Sequence, residues 1–471
     1  MVFSSLEFLF VFIPVVFTIY YLVPAKFRNV CLLIGSIAFY VYGTIGQPLY
    51  IALFLLSSVV NWFLGLRISR SKKYRRLWLT LGILYDFSWL FIFKYAGFFL
   101  RTAQSVLNRV WPLSGIELPM VNLLLPIGIS FYTFQIVSYL IDVYRDTIPA
   151  ERSLIRLATY LYMFPQLIAG PIVTYSQVGE QLYHTELSPS RTNEGLKEFT
   201  LGLGLKVLLA NRIGNLWTDV SDIGFDSIST PLAWMGVFAF ALQIYFDFYG
   251  YSLMAIGLGK MLGFNFPDNF RYPYMARSMT DFWRRWHITL GSWFREYLYI
   301  PLGGNRVGIP RHIVNMLVVW LFTGFWHGAN WNFLLWGFIF FVLLVLEKYA
   351  IKPVLERYPV LGHGYMIVLI PLTFLVFAVT DLSELGVYFE RLFPFLPGEP
   401  INIFAGDWLK YGKTYGLLLV VGILFSTNWP RKLYERIKDT IWGTLILLGI
   451  FWASVYYLYL GLNDPFLYFR F

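Results

Sequence analysis

RYPYMARSMTDFWRRWHITLGSWFREYLYIPLGGNRVGIPRHIVNMLVVWLFTGFWHGANW, residues Arg271–Trp331, concentrates the polar chemistry of an otherwise apolar chain. It holds three of the five histidines, His287, His312 and His327, together with a cluster of arginines. Placed at about 100° per residue from Arg284, the side chains of Phe282, Trp283, Trp286, Leu290, Trp293, Phe294 and Tyr297 share one arc of roughly 120°. Asp281, Arg284, Arg285, Ser292, Arg295 and Glu296 face the opposite way, with His287 on the border. An aromatic face opposed by a basic face predicts a helix from Asp281 to Leu298 lying in a membrane interface. The same pattern also fits an amphipathic helix packed on protein. Ser278, three residues before Asp281, predicts an N-terminal cap, and Pro301 with Gly303-Gly304 predicts the end of the element. The second half of the stretch drives an apolar helix into the membrane and ends on His327, between Trp326 and Gly328.

The rest of the chain makes that setting a membrane. Of its 471 residues 58% are hydrophobic and only 14% charged, and apolar runs near the length of a bilayer crossing recur throughout. Backbone groups in lipid must be bonded internally, which leaves helix bundles or closed barrels. Long unbroken apolar runs, rather than alternating ones, select an all-α polytopic membrane protein. The expected spans are 8–23, 30–43, 48–66, 77–100, 120–141, 153–173, 196–217, 232–262, 312–326, 330–347, 365–380, 412–427 and 440–460. Segments 30–43 and 312–326 are short enough to be tilted or re-entrant, and 232–262 reads as a run that can break near Gly250. That gives about ten to twelve crossings, with short re-entrant or interfacial helices besides. The N-terminus lacks a basic region before Lys26 and a small-residue cleavage site, so it reads as a retained first span. No soluble domain and no internal repeat is evident, and residues 1–471 read as one membrane-embedded domain.

Basic loops orient it. RISRSKKYRR (67–76), the 271–311 segment, the Lys348–Arg357 loop and WPRKLYERIK (429–438) fit the cytoplasmic side, which puts both termini and the 381–411 loop outside. The net charge of +10 is then a topology signal and a contact for anionic membrane lipids, not a sign of nucleic-acid binding. The single Cys31 lies in an apolar stretch and excludes an internal disulfide.

Ionisable groups inside apolar segments are costly and mark functional or paired positions. Asp247, in QIYFDFYGYS, reads either as lining a polar cavity or as a structural hydrogen-bonding group; Lys94 and Lys206 can snorkel; Asp86 and Asp142 lie near span ends. Among the histidines, His184, His312 and His363 read as structural or solvated. His327 is set between bulk and small residues in Trp326-His327-Gly328-Ala329-Asn330-Trp331, where the small residues would let a substrate reach the ring. A neutral imidazole there can accept a hydroxyl proton, although a packed histidine fits the residues equally well. No phosphate loop, HExxH, CxxC or GxSxG motif is present.

Several stretches in a fixed order resemble the membrane-bound O-acyltransferase family, most closely its alginate O-acetyltransferase branch. They are MVFSSLEFLF (1–10), FKYAGFF (93–99), LPIGISFYTFQIVSYLIDVYR (125–145), FPQLIAGPIV (164–173), QIYFDFYGYSLMAIGLGKMLGF (243–264), DFWRRWHITLGSWFREYLYIPLGGNR (281–306), TGFWHGANWNFLLWG (323–337) and FLYFRF (466–471). Two positions depart from the branch: Leu253 follows Gly250-Tyr251-Ser252 where aspartate is often found, and Phe340 and Phe341 stand where a further histidine often does. The resemblance implies a tunnel-pierced helical core in the bacterial cytoplasmic (inner) membrane, with His327 as the essential histidine and His287 as the second. It implies transfer of an acyl group from a cytoplasmic thioester, acetyl-CoA, with no bound cofactor. A secreted or membrane-anchored SGNH-type partner would then place acetyl groups on an exported polysaccharide. On this reading Arg284, Arg285 and Arg295, with His287, hold the donor's anionic part. Asn330 and Trp331 are polar neighbours of the reacting histidine. The rival readings are D-alanyl transfer to a cell-wall polymer, a polysaccharide or lipid transporter, and a scaffold for an export machine.

Overall fold

The computed structural model describes residues 2–112, 115–121, 123–395 and 404–461; part of the 381–411 loop and the ending at 466–471 lie outside these. Helices and turns make up the described residues, with no strand among them. Six helices are by themselves long and apolar enough to cross a membrane: Pro48–Arg70, Arg75–Val110, Thr230–Met261, Trp331–Arg357, Pro359–Ala378 and Ile441–Tyr459. A seventh is obtained if Asp407–Phe425 and Trp429–Ile437, bent by 72° at their junction, count as one span. The protein is therefore multi-pass. Among the further expected spans, Phe8–Leu22 joins a π turn to a single short helix.

The contacts divide the chain into two compact units, residues 1–195 with 258–267, and residues 196–257 with 268–471. In the first unit, Pro48–Arg70 opens on proline, whose missing N–H would go unbonded in a first turn anyway, and closes on Arg67 and Arg70, which favour the negative end of the helix dipole. At 1.5 Å per residue its 23 residues reach about 35 Å, enough for a hydrocarbon core of about 30 Å. An aromatic nucleus forms where Phe12 packs on Phe39 and Phe164, with ring centroids 5.4 and 5.1 Å away.

The expected span at 153–173 does not form. The helix Leu154–Tyr162 ends before Pro165, Phe164–Leu167 is a single turn, and Gly170 has φ of 111°. Residues 157–173 are all buried, so this segment is apolar because protein surrounds it. Likewise the run at 120–141 becomes helical only from Ile129, after Gly128 takes φ of 75°, where a Cβ would strike the Leu167 carbonyl.

In the second unit, Thr230–Met261 runs unbroken through Gly250. Gly250 serves helix contact instead of a break: a Cβ there would stand 2.7 Å from the Gly202 carbonyl oxygen, and one on Gly202 would stand 2.5 Å from the Gly250 carbonyl oxygen. Small residues let the two backbones meet. The adjoining helix Pro189–Gly204 passes through a π turn, Leu205–Ala210, into Asn211–Ile223. Lys206 in that turn does not snorkel. It is buried against Asp247 at 2.7 Å and donates to Asn211 Oδ1 at 2.8 Å, because a partner within the protein offsets the cost of burying its charge.

Candidate active site

The amphipathic stretch keeps its faces but not its continuity. Phe282, Trp286, Leu290, Trp293 and Phe294 are buried, while Arg284, Ser292, Arg295 and Glu296 are exposed. Instead of one helix from 281 to 298 there are Met279–Trp283, a turn, Ile288–Phe294 and a π turn Arg295–Tyr299. The break is at His287, which adopts φ of 43° as the cap of the second helix. Ser278 caps the first helix as expected, accepting from the Asp281 N–H at 3.0 Å. The buried Glu347 carboxylate accepts from the N–H groups of Met279 at 2.5 Å and Thr280 at 3.0 Å, completing that N-terminus. A carboxylate held by helix N–H groups is a common anchor, but its sequence position, 68 residues away, gave no sign of it.

His327 closes the helix Ile309–His327, which folds back on Trp331–Leu346. The two can touch because of glycines: a Cβ on Gly324 would overlap the Phe333 carbonyl, and one on Gly337 the Trp320 carbonyl. Gly328 does not leave room for a substrate, since the Phe333 ring fills the space its side chain would take. The His327 ring is instead boxed edge-on by Trp326 and Trp336, both with centroids at 5.0 Å, and by Phe377 at 5.3 Å. Asn332, fully buried, donates to the carbonyl oxygens of Val376 and Phe377, both at 3.1 Å, tying this hairpin to the end of Pro359–Ala378. Asn330 caps Trp331–Leu346 by accepting from the Trp331 N–H at 2.7 Å, and Trp331 is exposed.

His287 reaches the same neighbourhood from its turn. Its ring lies 4.6 Å from Phe248, 6.5 Å from Phe270 and 6.4 Å from Trp326, the last also a neighbour of His327. Burial disfavours its charged form, and the nearby His327 adds to this, so its pKa lies well below the ordinary imidazole value. Asp247 precedes Phe248 on the same helix, but its carboxylate engages Lys206.

A cavity of about 800 Å³ lies in the same unit. Arg277, Arg284, Lys348 and Lys352 line it together with Asp281, Glu347 and Glu356, the last 3.7 Å from Lys352, and Met316, Val319 and Leu344 form an apolar part. Arg277 and Arg284 make no ion pair among the described residues. His312 borders the cavity in a network with Tyr299 at 2.8 Å, Tyr349 at 2.8 Å and Lys348 at 3.1 Å. Trp320 forms part of the wall and meets Trp283 at 4.7 Å and Trp336 at 6.4 Å edge-on, so indoles lead from the cavity to His327. Of the three arginines expected to act together, only Arg284 reaches the cavity. Arg285 is paired with Asp281 at 2.8 Å, and Arg295 is exposed beyond it. The break at His287 lies between Arg295 and the other two. Arg277 and Lys348 line the cavity with Arg284, and no local pattern in the sequence set them beside it.

Imidazoles shielded from water, in the same unit as a cavity that carries arginine and lysine side chains, suit the transfer of an activated acyl group within the membrane. Residues 145–388 match the model of MBOAT, the membrane-bound O-acyltransferase family. The chain belongs to that family and is an O-acyltransferase. It is 35% identical to the probable alginate O-acetylase AlgI of Pseudomonas putida over the whole of both chains. It is 43% identical to the Azotobacter vinelandii protein of the same name, over 74% of this chain and 69% of the relative. It is also 37% identical to the peptidoglycan O-acetyltransferase of Helicobacter pylori, over 74% of this chain and 70% of the relative.

Proposed function

We propose that the chain moves an acetyl group from a cytoplasmic thioester donor, acetyl-CoA, across the bacterial inner membrane for O-acetylation of an exported, alginate-like polysaccharide. One observation carries the reading: His327, boxed by Trp326, Trp336 and Phe377 with His287 close by, lies in a chain aligned end to end with an alginate O-acetylase. A thioester is already activated, so the protein must supply position, a base and a dry site. His327 accepts the proton of the acceptor hydroxyl while its oxygen attacks the thioester carbonyl. The C–S bond breaks, and the departing thiolate takes the proton back from the imidazolium. Arg277, Arg284, Lys348 and Lys352 offer charge for the donor's phosphates, and the apolar part of the cavity suits its uncharged arm. The basic loops support a cytoplasmic position for this mouth. An SGNH-type partner outside the membrane carries the acetyl group onward to the polysaccharide.

The test is His327→Gln, which keeps a polar side chain but cannot cycle a proton near neutral pH. Loss of a general base typically costs about 10²–10⁴ in rate. Acetate released by alkali from exported polysaccharide, normalised to membrane protein level, should therefore fall to background. Near-normal acetylation would reject His327 as the base. The Helicobacter relative supports a second acceptor, peptidoglycan, and the same assay on isolated cell wall separates the two.

A further inference from the structure

Asn269 is buried beside His287, and its hydrogen bonds determine which nitrogen of that ring carries the proton. The Thr289 backbone N–H, which can only donate, reaches Asn269 Oδ1 at 3.4 Å, and the Thr289 hydroxyl reaches it at 2.9 Å. The Asn269 Nδ2 donates to Ser252 Oγ at 3.1 Å. These contacts fix Oδ1 as the acceptor end of the amide. His287 Nδ1, 3.0 Å from Oδ1, must then be the N–H of the neutral ring, and Nε2 must be a bare lone pair. Nε2 is buried and meets no donor among the described residues. The backbone holds this arrangement in place: Ile288 N–H donates to Asn269 O at 2.9 Å, Arg271 N–H donates to Arg285 O at 2.9 Å, and His287 itself sits in the left-handed region at φ of 43°. Side chains with a Cβ adopt that region at a cost that surrounding contacts must offset.

We infer that Asn269 is a positioning residue: it locks His287 as the Nδ1–H tautomer, so that the Nε2 lone pair can receive an N–H of His327 during acyl transfer. The inference rests on His327 being the base proposed above. Neutral His327 has one ring N–H. After it takes the hydroxyl proton it has two and a positive charge, in an apolar box where that charge is poorly solvated. The His287 lone pair accepts one of those N–H groups. When the thiolate leaves, His327 returns the proton and both rings are neutral again. The other His287 tautomer would present an N–H to an N–H and oppose the same step. Phe248, Phe270 and Trp326 are ring neighbours of His287, and His327 is the titratable group whose charge acts on it.

Asn269→Asp tests this. A carboxylate still accepts from His287 Nδ1–H and from Thr289, and the Ser252 hydroxyl can turn to donate to it. The added negative charge favours the His287 imidazolium and raises its pKa. Because the step needs a neutral His287, the acid limb of the rate profile should move to higher pH by about one unit or more. Initial rates of acetyl-CoA consumption, measured in native membranes with the polysaccharide-export partners present, give the profile. Asn269→Leu, which removes the acceptor, should lower kcat at least about tenfold with donor KM unchanged. An unmoved acid limb in an active Asn269→Asp variant, an inactive Asn269→Asp variant, or wild-type kcat in Asn269→Leu would each overturn the inference. If Asn269→Leu does not accumulate, Asn269→Asp decides. His327→Gln is measured in the same membranes. Activity there overturns the base reading, whereas inactivity there with an unmoved acid limb overturns only the tautomer lock.

Discussion

Replacing Lys206 by methionine removes the cation from an ion pair whose side chains are 1% and 3% exposed and whose atoms stand 2.7 Å apart. At that distance, and an effective dielectric of about 20, two unit charges attract by about 6 kcal/mol, most of it spent offsetting the cost of burying them. Methionine keeps the length of the side chain, so packing changes little, but Asp247 is left as a buried charge without its cation. We expect Lys206→Met to lose about 3–5 kcal/mol. The double variant Lys206→Met with Asp247→Leu carries no uncompensated charge and should recover most of that loss. Thermal unfolding of detergent-purified protein, followed by the fraction remaining monodisperse, ranks the three proteins. A single variant as stable as wild type, or a double variant no more stable than the single, would refute the reasoning. The double variant also bears on Asp247 as a substrate-binding residue. If the pair is a helix-to-helix lock, polysaccharide acetylation survives in it; restored stability without activity would return Asp247 to the substrate path.

The cavity separates the arginines of the 271–311 segment. Arg277→Ala with Arg284→Ala should raise the apparent KM for acetyl-CoA several-fold with protein level unchanged, whereas Arg295→Ala should leave it as it was; equal effects would argue that these charges serve lipid contact alone. Topology is checked by single cysteines in a Cys31→Ser background. A cysteine at Ser71, in the basic loop, should be inaccessible to an impermeant thiol reagent in intact cells and one at Thr414 accessible, and labelling of position 71 from outside would reverse the assignment.

Composition and periodicity were enough for the class of fold, because in lipid the backbone must satisfy itself and long apolar runs have one way to do so. They were enough, too, for which side of the 281–298 stretch is buried, since side-chain direction follows the helical period over short distances even when the helix breaks between Trp283 and Ile288. The order of the motifs pointed to the acyltransferase family and to His287 and His327. Local pattern failed wherever burial within protein imitates burial in lipid. Residues 157–173 are as apolar as a span yet are buried irregular and helical segments, and Gly250 marks a helix contact where it read as a break. Partners distant in the chain were also illegible: Lys206 with Asp247, Glu347 on the N–H groups of Met279 and Thr280, and Arg277 and Lys348 beside Arg284. The tautomer of His287 belongs to the same class. A sequence shows that an imidazole is present, but which nitrogen holds its proton depends on the acceptor that folding brings to it, and here that acceptor is the Asn269 amide oxygen.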